Sequence, residues 1–325
     1  MNIQLSLAIG GYDHVRDLLD GRVRASGISL IPFELPIEEV TFRFTRFAEW
    51  DVSELSFGKT VSLLSQDNPQ IVPIPVFPSR VFRHSAIYVG AGKKITTPKD
   101  LEGKRVGLPE SAQTAGIYVR GMLQHEYGVN LSAVDWYQAG VNQPGRTEKV
   151  ALKLPKGLRL TPTPDKSLSG MLRSGELDAV ISARDPAYGG QPFPRLFPDY
   201  QALELAYFEK TRIFPIMHVV VLKKATYERD RWIAMNLVQA FEASKRRSLA
   251  AALELGVSHT PLPWVAAAAE RWRALAGDDF WPYGVEPNRP TLDAYLQYSF
   301  EQGVCHRRLG VEDLFAPETR EQAKI

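Results

Sequence analysis

The chain has 325 residues, with 39 Lys and Arg against 37 Asp and Glu, and carries a net charge of +2. That near balance excludes the strong basic field of a nucleic-acid binder, and no apolar run reaches the ~20 residues of a membrane span. The single cysteine, Cys305, excludes a disulfide framework within the chain, while 44% hydrophobic residues can fill a core, at this length one divided between two lobes.

Residues 3–9 alternate and end at Gly10-Gly11, the pattern of a strand running into a turn. Tyr12-Asp13-His14 stands where a helix should begin, with Asp13 as its N-cap. Strand-to-helix turns of a parallel sheet face the binding crevice, so Tyr12 and His14 are site candidates, though for His14 the reading as a satisfied surface histidine is the preferred one. Residues 28–33 form a second strand, and 36–50 a helix with Val40, Phe44 and Phe47 on one face. Glu54 lies between a short strand and a helix starting near Gly58. There it can favour the helix dipole and also accept a hydrogen bond from a substrate hydroxyl.

Pro73, Pro75 and Pro78 lead into residues 76–85, which carry Arg80, Arg83 and His84. Prolines fix φ and remove N–H donors, so this approach is stiff and extended before a strand at 85–90. Arg grips carboxylates bidentately, and His exchanges a proton near neutral pH. Phe77, Val81 and Phe82 argue that the segment is packed, and packed cations need anionic partners.

Residues 104–108 read as a strand entering a second lobe, followed by a turn and a helix over 117–127. Free N–H groups from Ser111 to Ala115, with the hydroxyls of Ser111 and Thr114, suit an anion; the alternative is N-capping by Ser111. Asn142, Gln143 and Arg146 occupy a glycine-marked loop of the kind that carries contacts. A helix at 168–172 and a strand at 178–182 bring Arg184 and Asp185 to a strand end, where a ligand can be read. Residues 189–198 are rich in Pro and Gly and read as loop. The long strand at 212–222 is the expected return crossing between lobes; pairing with the strand from Ser85 would bring His218 near His84. Helices are expected over 227–254 and 264–275. Tyr283 lies in an aromatic loop, and Asn288 or Thr291 caps a last helix after Arg289.

No Gly-x-Ser-x-Gly, Walker loop, dinucleotide fingerprint or zinc spacing appears, so no cofactor and no metal is expected. A metal could assemble only through folding, from His84, His218 and a carboxylate. What remains is Arg, His and aromatic residues at lobe-facing positions, which suits a small aromatic polyanion.

Several stretches carry a resemblance: Glu54-Leu-Ser-Phe57, the run 80–85, Gly103-Lys-Arg-Val-Gly107, Arg195-Leu-Phe-Pro-Asp199, Phe214-Pro-Ile-Met-His218, Pro282-Tyr-Gly284 and Asn288-Arg289. Together they resemble the 4,5-dihydroxyphthalate decarboxylase family. The resemblance implies an α/β, two-lobed fold like the type II periplasmic binding proteins, with a cleft between lobes. One lobe would take residues 1–88 and 215–325, and the other 89–214. It also implies decarboxylation of 4,5-dihydroxyphthalate to protocatechuate and carbon dioxide. The expected general acid is His84, with His218 as alternative or partner and Glu54 at the hydroxyls. Substrate contacts are expected from Arg80, Arg83, Ser85, Ser111, Thr114, Ala115, Arg184, Asp185, Tyr283, Asn288 and Arg289. The expected partner is a small aromatic dicarboxylate, with neither nucleic acid nor membrane, and homo-oligomerisation is left open. The first ten residues read as a strand rather than a signal peptide, so a cytoplasmic location is expected. The competing reading is a non-catalytic binding protein for an aromatic acid.

Overall fold

The computed structural model describes residues 2–187 and 192–321, so residues 189–191 of the expected Pro- and Gly-rich loop lie outside the described residues. In chain order the strands are β1 (Ile3–Ile9), β2 (Ile28–Glu34), β3 (Val52–Ser56), β4 (Ile71–Arg80), β5 (Ile87–Val89), β6 (Arg105–Leu108), β7 (Asp135–Gly140), β8 (Arg159–Ser167), β9 (Ala179–Ile181) and β10 (Ile216–Lys223). The helices are α1 (Asp13–Leu19), α2 (Ile37–Phe47), α3 (Phe57–Leu64), α4 (Thr114–His125), α5 (Leu168–Ser174), α6 (Tyr200–Thr211), α7 (Lys224–Arg229), α8 (Ile233–Leu253), α9 (Val265–Ala276) and α10 (Arg289–Glu301).

The strands form two five-stranded sheets, ordered β2-β1-β3-β10-β4 and β5-β9-β6-β7-β8. In the first, β1 runs parallel to both β2 and β3. In the second, β6 is parallel to β7 and β9, and β7 is parallel to β8. The chain thus leaves the first sheet after Arg80 and returns to it at Ile216. Parallel strands joined by helices place their carboxyl ends, and the turns that follow, along one crevice.

The return strand pairs differently from expectation. β10 lies antiparallel between β3 and β4, whereas β5, the strand after Ser85, pairs with β9 in the other sheet. The reason is that the proline-rich approach is itself a long strand. β4 takes the sheet edge, where missing N–H donors cost little. Its outward carbonyls are still used: Pro73 O accepts from Ala316 N (3.0 Å) and Pro75 O from Gly284 N (2.8 Å). The buried run Val219–Leu222 of β10 fills the sheet's interior beside it. Asp13 also departs from expectation: it bonds Arg16 on the surface and does not cap α1.

Of the contacts that span the lobes, two bear directly on the cleft. At the rear, α3 meets the start of α4 so closely that Gly58 N donates to Thr114 Oγ1 (3.0 Å), and a side chain at Gly58 would stand 2.3 Å from Ala112 O. Helix α10 packs against both, with Tyr295 stacked 4.6 Å from Phe57. At the front, Arg184 beyond β9 pairs with Glu38 of α2, and both side chains are exposed. Among the described residues no helix is long and apolar enough to cross a membrane.

Candidate active site

Between the lobes lies a cavity of ≈ 260 Å³. Its first-lobe wall includes Ser56 at the end of β3, Lys59 in the first turn of α3, Arg83 beyond β4, and Met217 and His218 on β10. Facing these are Glu110, Thr114 and Ala115 around the start of α4, then Arg146, Lys149 and Arg184. The β10–β4 ladder shifts register on either side of His218, and the neighbours Met217 and His218 both line the cavity.

Behind His218 sits Glu54, fully buried. Its Oε1 lies 2.6 Å from His218 Nδ1 and accepts from Tyr12 Oη at 2.6 Å, and its Oε2 accepts from Gly10 N at 2.8 Å. Burial alone would raise the pKa of this carboxyl. Hydrogen bonds from His218, Tyr12 and Gly10, with the histidine's charge, outweigh burial and hold it below the ordinary carboxylate range. A carboxylate on Nδ1 fixes which imidazole nitrogen carries the proton on that side and leaves Nε2 for the cavity. Burial, and then the Glu54 charge, push the Tyr12 phenol far above its usual value, so it stays a hydrogen-bond donor.

Arg83 has no carboxylate ion pair among the described residues. It is half-buried, and its Nε and Nη2 point at Met217 Sδ (3.2 and 3.0 Å). Burial lowers its pKa to about 10, still charged at neutral pH. Arg146 and Lys149 both meet Glu110, at 2.6 and 3.4 Å. Lys59 was not legible as a site residue; its ammonium touches Thr45 Oγ1 at 3.2 Å.

The expected residues divide. His218, Glu54, Arg83, Thr114, Ala115 and Arg184 come together at or directly beneath the cavity, whereas His84 does not. It is buried in an aromatic cage with Phe197 and Tyr207 at ring distances of 5.5 and 5.4 Å, and its Nδ1 stands 4.0 Å from Glu204. Burial pushes its pKa down to about 4. Ser85 N reaches the same Glu204 at 3.4 Å. Arg80 is buried as a brace, donating to Phe214 O (3.0 Å), Pro282 O (2.6 Å) and Asn288 Oδ1. Asn288 in turn donates to Pro282 O and Gly284 O, so it braces the aromatic loop and makes no cap to α10. Tyr283 is buried beneath Lys245, and Arg289 pairs with Glu286 and Glu312 at the surface. The backbone of exposed Asp185 accepts from Asn142.

The expected anion site before α4 is filled by the chain itself. Ser111 N and Ala112 N donate to Glu148 Oε2 at 2.5 and 3.4 Å, and the Ser111 hydroxyl accepts from Arg120 at 2.9 Å. His14 lies between Tyr12 and Trp281 (5.4 and 5.3 Å), where burial lowers its pKa to about 4. Among the described residues no group of three or more His, Cys, Asp or Glu could hold a metal ion; His84 and His218 lie in separate surroundings.

Two α/β lobes around a cation-rich cleft define a binding-protein-like fold. The chain is similar to the periplasmic aliphatic sulphonate binding protein SsuA of Escherichia coli, with a TM-score of 0.50, 13% identity, and 99% of this chain and 100% of that one covered. It is likewise similar to the desulfurization enzyme DSZB, with a TM-score of 0.51, 14% identity and 97% of each chain covered. At such identities the likeness is one of fold alone. No family model matches the chain. Over 327 residues it is 38% identical to the 4,5-dihydroxyphthalate decarboxylase of Comamonas testosteroni, with 99% of each chain covered. It is 40% identical over 195 residues to the Pseudomonas putida protein of the same name, covering 60% of this chain and 76% of that one. The chain belongs to the 4,5-dihydroxyphthalate decarboxylase family.

Proposed function

We propose that the chain decarboxylates 4,5-dihydroxyphthalate to protocatechuate and carbon dioxide, with His218 as the proton carrier. One observation carries the assignment of roles: a histidine backed by a buried carboxylate shares a cavity wall with a half-buried guanidinium that has no carboxylate ion pair among the described residues. Each substrate carboxylate is para to a hydroxyl, whose lone pair pushes electron density onto the carbon bearing that carboxylate. His218 Nε2 delivers a proton to this carbon, giving a cyclohexadienone-like intermediate. The bond to the carboxylate then breaks, its electron pair returns to the ring, and carbon dioxide leaves. The sum is one carboxylate and one proton converted to carbon dioxide and an aryl C–H.

Glu54 stabilises the imidazolium that supplies the proton and keeps the ring oriented; Tyr12 steadies Glu54. Arg83 suits the retained carboxylate, since its planar fork binds that group bidentately and is already held in place on Met217. Gripping the departing carboxylate as firmly would stabilise the ground state and gain nothing in turnover.

The test is to incubate the purified protein with 4,5-dihydroxyphthalate and follow carbon dioxide release, in ordinary water and in deuterium oxide. The expected result is stoichiometric protocatechuate, deuterated at the carbon that carried the carboxylate. Tight binding with the substrate recovered intact would overturn catalysis and leave an aromatic-acid binding protein.

A further inference from the structure

The cavity wall carries five cationic side chains, Lys59, Arg83, Arg146, Lys149 and Arg184, against the carboxylates of Glu38 and Glu110. Three of the five are committed. Arg146 and Lys149 share Glu110, and Arg184 holds Glu38. Neither of the other two forms a carboxylate ion pair among the described residues. Arg83 rests on a thioether, and the Lys59 ammonium meets the neutral hydroxyl of Thr45 at 3.2 Å. Burial, and then the nearby charge of Lys149, weaken the hold of Lys59 on its proton, and the charges of Glu110 and Glu148 offset them only in part. An ammonium has three donors, so one hydroxyl leaves two unspent.

The root of Lys59 is also fixed. It follows Gly58, whose backbone is pressed against Ala112 O and Thr114. Lys59 therefore lines the cavity from a point that cannot retreat, on the same wall as Arg83. Two cations left without carboxylates beside one proton carrier match a ligand with two adjacent carboxylates.

We propose that Lys59 reads the second carboxylate of the ligand and makes the site selective for aromatic ortho-dicarboxylates over aromatic monocarboxylates. The inference rests on the reading of this cavity as the substrate site. Arg83, a fixed fork, takes the carboxylate that stays; Lys59, a mobile point charge, takes the one that leaves. A single cation of this kind orients the departing group without the bidentate grip that would hold it back. Loss of carbon dioxide then removes the Lys59 contact, so the product binds more weakly than the substrate.

The test uses unhydroxylated probes and needs no turnover. Affinities for benzene-1,2-dicarboxylate and for benzoate are measured by calorimetry on the full chain and on Lys59→Met, Lys59→Arg and Lys149→Met. The wild-type chain should prefer the dicarboxylate by about tenfold to a hundredfold, the scale of one charge-assisted contact. Lys59→Met should abolish that preference by weakening the dicarboxylate alone, and Lys59→Arg should keep most of it. Lys149→Met removes the same charge from the facing wall of the same cavity and should leave the preference standing. A preference intact in Lys59→Met, an equal loss for both probes, or an equal collapse in Lys149→Met would each overturn the proposal. A chain that discriminates the probes through Lys59 yet releases no carbon dioxide would overturn the decarboxylation and leave this inference in place.

Discussion

His84 and His218 flank the chain's passage between the lobes, yet their surroundings are opposite. His84 has aromatic walls, a side chain 2% exposed, and a carboxylate no nearer than 4.0 Å to its Nδ1. Such a site excludes the charged form and makes the imidazole a packing group. His218 has one face on the cavity and a buried carboxylate 2.6 Å behind it. The same side chain there can hold a positive charge and pass on a proton. Arg80 and Arg83 repeat the contrast: one guanidinium is spent on carbonyl and amide oxygens, the other is left with a sulfur. Three residues of spacing along the chain separate a brace from a cation that lines the cavity, and partners rather than residue type decide which is which.

The sharpest way to break this comparison is to exchange the histidines' roles by substitution. His218→Asn should lower turnover by ~10²–10⁴-fold, the usual worth of a positioned acid–base group. His84→Gln, with folding confirmed by circular dichroism, should stay within about tenfold, below that range. Steady-state kinetics on both variants checks this, and the reverse ranking would return His84 to the mechanism.

Next in size is the arginine pair. Arg80→Met strands two carbonyls and an amide oxygen in the interior, so it should cost about 3 kcal/mol of stability or more, read from the urea midpoint. Arg83→Met should leave the midpoint nearly unmoved while weakening substrate binding about tenfold to a hundredfold. If Arg80→Met weakens binding as selectively as Arg83→Met does, the two are not distinct in kind.

The smallest effect is a pH dependence. His84 titrates near 6.5 in the unfolded chain and at about 4 when folded. The unfolded state therefore binds the extra proton first as pH falls. The stability this histidine contributes is complete above pH 6.5 and is lost on descending toward 4. A gap of roughly two and a half pKa units bounds the loss at about 3 kcal/mol. Denaturation midpoints measured from pH 7 to 4.5 should fall less steeply in His84→Phe than in the wild type, and parallel curves would count against a neutral, caged His84.

The regular parts of this fold were legible because their periodicity is strong: the alternation over 3–9 yields β1, and Val40 and Phe44 mark the buried face of α2. Two elements left no such trace. β8 is a mostly exposed edge strand interrupted by Pro162 and Pro164, and α6 spreads its apolar residues around the helix, with Leu203 and Leu205 exposed. The prolines before Arg80 were legible as extended backbone. Their place at a sheet edge depended on hydrogen bonds from Gly284 and Ala316, more than 200 residues away. Of the candidate site, Glu54, Arg83 and His218 could be picked out by residue type near strand ends. Lys59 could not, since a lysine in a helix's first turn is ordinary. Its meaning appears only when the cations facing it are seen to be paired while, among the described residues, it forms no carboxylate ion pair.

Glu38 and Arg184 join hands across the mouth of the cleft, both out in the solvent. Such a pair is worth about 0–1 kcal/mol, a light catch on a door whose opposite side is jammed at Gly58. Even at 1 kcal/mol, the catch would be undone in roughly one moment out of six. It loosens further as salt rises, because exposed charges are screened, while the buried Glu54–His218 pair feels far less of that change. Traffic through the doorway would then follow the ionic strength of the surroundings, and the chemistry behind it would not.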